Sequence, residues 1–155
     1  GIPEDIHLVL VGKRTYYTNQ IDAFIKSHRL EKRVHLLHDV TFQYLPAIYQ
    51  QAEIFVYPSR FEGFGIPIIE ALHSGIPVIA ATGSCLEEAG GPDSLYAHPD
   101  DKEGMTKAIC SLLNHPEKRQ HMIEQGLKYV TRFSEQRQAE ELMNLYRSLT
   151  EEKTI

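Results

Sequence analysis

The stretch Pro58-Ser-Arg-Phe-Glu62-Gly63-Phe64-Gly65-Ile66-Pro67-Ile68-Ile69-Glu70-Ala71-Leu72 holds the residue types best able to do chemistry. Two glycines flank an aromatic residue just before a segment that opens with proline, which is favoured in the first turn of a helix. Glycine lets a backbone approach a ligand closely and turn its N–H groups toward it. A helix N-terminus adds unpaired donors and partial positive charge. Together these suit a phosphate or pyrophosphate. Glu62 and Glu70 stand eight positions apart, so one carboxylate can lie on each side of a bound phosphate. A carboxylate accepts two hydrogen bonds, which fits recognition of paired sugar hydroxyls better than proton donation. A plainer arrangement uses the same residues: a glycine-rich turn that caps a helix, with both glutamates in solvent.

Other phosphate motifs fit less well. Gly63-x-Gly65 is followed by Ile68 where a dinucleotide fingerprint needs a third glycine, and Ser59-Arg-Phe-Glu62 intervenes after the preceding apolar run. A phosphate-binding loop is excluded because no Gly-Lys-Ser/Thr follows. No His-Glu-x-x-His, Asp-x-Asp or clustered Cys/His occurs, so neither a metal nor another cofactor is expected.

The elements that would position this stretch alternate in type. Ile6 to Val11 is a nearly continuous apolar run ending at Gly12, as expected of a strand buried on both faces. Val34–Leu37, Ile54–Tyr57, Val78–Ala81 and, more weakly, Ser94–Ala97 read the same way. Helical spacing covers Thr15 to Ser27, where Ile21, Phe24 and Ile25 share a face, then Leu45–Ala52 and Ile66–Ser74, with Gly75 just past the end. Three further helices are expected over Asp101–Leu113, Pro116–Thr131 and Ser134–Leu149. Short strands separated by helices imply right-handed crossovers: an α/β, Rossmann-like three-layer domain with a parallel sheet of about five strands, followed by C-terminal helices. Ligands of such sheets bind beyond the carboxyl ends of the strands, which selects the loops 12–15, 38–44, 58–66 and 82–87.

Composition limits the function classes. The chain has 155 residues, a length that suits a single domain over 1–155. Lys and Arg number 16 against 21 Asp and Glu, a net charge of -5 that lacks the positive field duplex nucleic acid requires. Tyr16, Tyr17, Tyr44, Tyr49 and Phe42 are spaced for helix packing rather than as a stacking platform for RNA. Cys85 and Cys110 form no Cys-x-x-Cys and read as free thiols in a reducing compartment. No apolar run reaches the ~20 residues of a membrane span, and the start does not read as a signal peptide; a soluble, cytoplasmic chain is expected. His7, His35 and His73 read as structural, whereas His38 lies at a strand's carboxyl end. Arg60, beside the motif, is either a substrate contact or solvated, and Arg29, Lys32 and Arg33 read as a helix end and loop face.

The run Glu62-Gly-Phe-Gly-Ile-Pro-x-x-Glu70-Ala, preceded by Phe55-Val-Tyr-Pro-Ser and followed by Gly75-Ile-Pro-Val-Ile-Ala, resembles the Glu-x7-Glu motif of the retaining glycosyltransferases of the large GT-B family 4. Val11-Gly12-Lys13 is similar to that family's first strand and turn. Val34–Val40 with Leu45-Pro-x-x-Tyr49 is similar to its second strand and helix. Leu86-Glu87-Glu88 and His98-Pro99-Asp100-Asp101 are similar to its later donor-side loops.

The resemblance implies one half of a GT-B fold: the C-terminal half, which binds a nucleoside diphosphate sugar for transfer with retained configuration, independent of metal, as in polysaccharide biosynthesis. It implies that Glu62 contacts the transferred sugar as the catalytic residue and that Glu70 binds the ribose. Gly63, Phe64, Gly65, Ile66 and Pro67 would approach the pyrophosphate and sugar, with Val40 and Thr41 beside the base. Leu86 and Glu87 are further neighbours. The family's diphosphate-clamping Arg and Lys lie upstream of its first strand in this half and find no counterpart, so Lys13 and Arg14 are the candidates to supply that charge. An acceptor-binding N-terminal domain is the expected partner, and the chain alone is expected to turn over little or nothing. A second reading, a non-catalytic nucleotide or nucleotide-sugar binding module, uses the same residues.

Ala139, Leu142, Met143, Tyr146 and Leu149 fall on one stripe of the last helix. In the resembled family that helix reaches back to the N-terminal domain. Part of the stripe is therefore expected to be exposed, and the helix to be disordered, repacked or buried against a second copy as a homodimer.

Overall fold

The computed structural model describes residues 2–151. The chain divides into two compact units, one ending at Gln51 and the other beginning at Ala52.

The first unit is a parallel crossover. β1 (Leu8–Val11) pairs with β2 (Val34–Leu37), Leu8 opposite Val34 and Val11 opposite Leu37, with α1 (Thr18–Ser27) between them. α1 begins three residues later than its periodicity suggests. Thr15 forms a turn instead: its N–H donates to Thr18 Oγ1 at 2.9 Å, and its carbonyl accepts the Thr18 N–H. Just past the C-cap of α1, Arg29 has a left-handed φ of 56°, which lets the Leu30 N–H return to Ile25 O. Arg33 holds the chain leading into β1, donating to the carbonyls of Pro3 (2.6 Å) and Ile6 (3.0 Å). Within the expected loop face it thus acts as a brace. A 3-10 turn at Phe42–Tyr44 leads into α2 (Leu45–Gln50).

The second unit holds the parallel order β3-β4-β5: Phe55–Tyr57, Val78–Ala81 and Leu95–Ala97. β4 is central and buried at all four positions, which explains its unbroken apolar sequence. α3 (Ile66–His73) joins β3 to β4, and α4 (Leu86–Gly90) joins β4 to β5. α5 (Lys102–Asn114), α6 (Pro116–Val130), a 3-10 turn (Thr131–Phe133) and α7 (Glu135–Glu151) follow. α3 buries Ile68, Ala71 and Leu72, the i, i+3, i+4 stripe of an amphipathic helix. Leu86, Leu112, Met122 and Val130 complete the core, each fully buried aliphatic side chain contributing about 1.5–3 kcal/mol. α6 approaches α3 closely at Gly126, where a Cβ would lie 2.8 Å from Leu72 Cδ2.

Both units show parallel strands joined through helices, the expected α/β, Rossmann-like arrangement. The strands, however, hydrogen-bond as a group of two and a group of three, not as one sheet of about five. Apolar runs mark which segments are extended, whereas ladder pairing is decided by contacts remote in sequence. α4 was not expected. Its five residues, closed by Gly90-Gly91-Pro92, are too few to show a helical period.

Candidate functional site

The Glu62–Glu70 segment joins the carboxyl end of β3 to the start of α3. Glu62 is anchored at its root. Its Oε1 accepts hydrogen bonds from the Tyr57 hydroxyl (2.6 Å) and the Ser59 hydroxyl (2.8 Å). Those bonds, Tyr57's first and then Ser59's, hold the carboxyl below the usual glutamate range against a small opposing effect of burial. The Tyr57 phenol is pushed up to about 12, chiefly by burial and then by its bond to Glu62. The Cys85 thiol donates to the Glu62 carbonyl at 3.3 Å, tying the loop to the start of α4.

The two glycines have different jobs. Gly65 has φ 104°, and a Cβ there would meet Leu86 Cδ2 at 3.0 Å and Ala89 Cβ at 3.1 Å. Only glycine permits both this backbone and this approach to α4. Around Gly63 an added Cβ would meet nothing within 4 Å, so the backbone there faces open space. The α3 start has no side-chain cap, Pro67 has no N–H, and the Ile68 N–H is taken by Gly65 O. Among the described residues, the N–H groups of Gly63, Phe64, Gly65 and Ile66 make no main-chain hydrogen bond. Phe64, between the glycines, is half-buried and packs edge-on against Phe133, centroids 5.6 Å apart. Glu70 is half-buried in the second turn of α3. Neither acid is turned wholly into solvent.

Arg60 makes a two-pronged ion pair with Asp100, Nη1 to Oδ2 at 2.8 Å, joining the motif loop to the turn after β5. Its guanidinium holds Asp100 below the usual carboxylate range. Glu87 accepts from the Thr82 hydroxyl and the Gly83 N–H, closing its own turn. Leu86 is fully buried beneath Gly65 and is a core residue. Asp101 caps α5, accepting from the Gly104 N–H at 2.8 Å.

In the first unit, Lys13 and Arg14 are exposed in the turn after β1. Val40 is half-buried and Thr41 exposed beyond β2. His38 links these two turns through Nδ1 and the Gly12 carbonyl, 3.1 Å apart, while its Nε2 is buried with no hydrogen-bond partner among the described residues. His7 and His35 pair with one another, Nδ1 to Nε2 at 2.8 Å, with stacked rings. The structure thus gathers Glu62, Gly63, Phe64, Gly65, Ile66, Pro67 and Glu70 in the second unit, and Lys13, Arg14, Val40 and Thr41 at the strand ends of the first. Sequence reasoning passed over Tyr57, Ser59 and Phe133. Two hydroxyls just before an acidic loop residue gave a weak signal for the first two; Phe133, distant in sequence, gave none.

Two shallow depressions lie on α5, around Lys102 and Thr106, and on α7, around Ala139 and Met143; the motif lines neither. Among the described residues no three His, Cys, Asp or Glu side chains are grouped as metal ligands. No helix of the described residues is long and apolar enough to cross a membrane.

Residues 3–129 match the family model for glycosyl transferases group 1. The O-antigen chain mannosyltransferase RfbU of Salmonella typhimurium is 35% identical over 114 residues, covering 74% of this chain and 32% of that protein. O-antigen chain mannosyltransferase B of Escherichia coli is 31% identical over 142 residues, covering 92% of this chain and 37% of that one. The chain therefore spans about a third of the length of these curated relatives. Among solved structures, sucrose-phosphate synthase of Thermosynechococcus elongatus superposes with a TM-score of 0.81 at 28% identity, covering 95% of this chain and 39% of that one. With the Glu-x7-Glu loop at the carboxyl end of a parallel strand and a family match that runs through both units, the chain belongs to the glycosyl transferases group 1, as part of a GT-B fold.

Proposed function

We propose that this chain is the donor half of a retaining glycosyltransferase, holding a nucleoside diphosphate sugar while the sugar passes to an acceptor bound by another part of the same protein. The observation that carries the reading is the motif loop. An ionised, anchored Glu62 stands beside the amides of 63–66, which make no main-chain hydrogen bond among the described residues, and beside the N-terminus of α3. Expulsion of the diphosphate builds negative charge. Preorganised amides and a helix terminus stabilise such charge without reorganising, and losing one donor of this kind costs about 3 kcal/mol in the barrier. Glu70, one turn inside the helix, is assigned to the ribose hydroxyls, and Glu62 to those of the sugar.

The mannosyltransferase relatives favour a hexosyl donor and a role in polysaccharide assembly. Lys13 and Arg14 are assigned as diphosphate contacts from their place after β1, a departure from the family pattern, whereas Val40 and Thr41 as base contacts follow from the resemblance. So do independence from metal and cofactors and little turnover by this chain alone; a cytoplasmic location rests on the cysteine usage and the sequence patterning.

A mutation pair tests the assignment. Glu70→Ala should weaken free nucleoside diphosphate and its sugar ester alike, by about tenfold or more, the loss of a charged hydrogen-bond partner. Glu62→Ala should spare the free nucleotide and impair the sugar-bearing donor. Calorimetric titration of UDP, GDP, UDP-glucose and GDP-mannose against the whole protein reads both effects. Negligible effects from both substitutions would reduce the motif to a helix-capping turn.

A further inference from the structure

We propose that Tyr57 and Ser59 are positioning residues for Glu62: their two hydroxyls clamp Oε1, fixing the carboxylate so that Oε2 is the oxygen left to accept a hydroxyl of the donor sugar. The inference rests on the donor-half reading and adds to it the parts that aim its central acid. Three features carry it. Both clamping bonds are short, 2.6 and 2.8 Å, and both end on the same oxygen. Both donors come from rigid surroundings: Tyr57 closes β3 with its ring stacked on Phe55 at 5.7 Å, and Ser59 follows Pro58. The loop main chain is held as well, through the Cys85 thiol on the Glu62 carbonyl. The Ser59 hydroxyl has a second acceptor in reach, Phe61 O at 3.3 Å, but the carboxylate is nearer and charged. A glutamate on a glycine-flanked loop would otherwise sample several rotamers, and ordering it would oppose donor binding.

The clamp also keeps Glu62 an acceptor. Two O–H donors on one oxygen favour the carboxylate over the carboxylic acid, and Glu62 is held low accordingly. The other groups against this loop are few. Tyr57 is neutral at physiological pH, pushed up to about 12. The Cys85 thiol is spent on the main chain, and Arg60 is bound to Asp100. Removing either hydroxyl raises the pH at which Glu62 takes up a proton, so donor recognition begins to fail at a higher pH than in the parent.

The test compares Tyr57→Phe, Ser59→Ala and Ser59→Thr with the parent in the whole protein. It measures affinity for UDP and GDP and for UDP-glucose and GDP-mannose at a series of acid to neutral pH values. Tyr57→Phe and Ser59→Ala should each weaken the preferred sugar-bearing donor about tenfold, leave the free nucleotide within about twofold, and move the acid limb of donor binding to higher pH. Ser59→Thr, which keeps the hydroxyl, should restore both. Equal losses for free nucleotide and sugar donor, or an acid limb that stays in place, overturn the clamp. If Tyr57→Phe fails to fold, the Ser59 pair decides the matter by the same readouts. Glu62→Gln separates the two levels. If it leaves the sugar donor untouched, the donor-half reading is wrong; if it impairs that donor while the clamp variants bind normally, only the clamp is wrong.

Discussion

Gly63 and Gly65 look interchangeable in sequence, two small residues around one phenylalanine, yet opposite predictions follow for them. Gly65→Ala places a Cβ into Leu86 and Ala89 on a left-handed backbone and should cost about 2–4 kcal/mol, read as a lower urea midpoint with or without ligand. Gly63→Ala meets open space, so stability should stay within about 0.5 kcal/mol. Any loss there should appear in nucleotide affinity, because the added methyl stands where a diphosphate would approach. The glycines were legible as a tight approach, but which one serves the fold and which the ligand depended on α4, an element the sequence did not show. Glu62 shows the same limit. Its type and spacing were legible; the hydroxyls that aim it were not, because nothing in a linear string distinguishes a tyrosine that packs from one that donates. The clamp also makes stability depend on pH. A carboxyl held low in the folded state stabilises it above the unfolded value and loses that contribution as pH falls through the folded one. Tyr57, raised to about 12, works at the other end: its contribution is lost as pH climbs from about 10 to about 12. Thermal midpoints of the parent should therefore fall in acid more steeply than those of Glu62→Gln.

At the level of elements, the strands were the most legible feature. Short apolar runs bounded by Gly, Pro or Asp mark the extended segments, and β4 has no exposed position at all, whereas β1, expected to be buried on both faces, leaves Leu8, Val9 and Val11 exposed. Helix ends depended on chemistry more than on period. α5 begins where Asp101 accepts the Gly104 N–H, and a side chain at Gly104 would make the capping carboxylate shift. Asp101→Ala should cost about 1 kcal/mol of stability with donor affinity unchanged, since the residue caps a helix although the sequence placed it on a donor-side loop. Thermal melts and nucleotide titration of one preparation check both halves of that statement. A further link joins elements far apart in the chain. Phe133, in the turn before α7, packs on Phe64 and on Tyr129, and the Tyr129 hydroxyl donates to Glu88 O at 2.7 Å. The motif loop is thus braced from the C-terminal side by an aromatic column whose two ring pairs each contribute about 0.5–1.5 kcal/mol beyond area.

For the whole molecule the informative feature is α7. Its apolar stripe was expected to be disordered, repacked or buried against a second copy. The segment is helical through Glu151 rather than disordered, and Leu142, Met143, Tyr146 and Leu149 are each about half exposed, as expected of a stripe without its cover. An amphipathic helix of this length gains most of its stability from covering that stripe, and the chain accounts for only about a third of its relatives' length. On the proposed donor-half reading, another part of the same protein would supply that cover. Met143→Asp discriminates. In the 155-residue chain the side chain is 49% exposed, so the change should shift stability by no more than about 0.5 kcal/mol. In the whole protein the same carboxylate would be forced into a dry contact, at a cost of several kcal/mol, and the thermal midpoint should drop sharply. Parallel melts of the two proteins, parent and variant, give the comparison. A variant equally silent in both would make α7 a solvated helix. A chain that sediments as a dimer until Met143 is changed would make a second copy the cover and remove the argument for an interdomain contact.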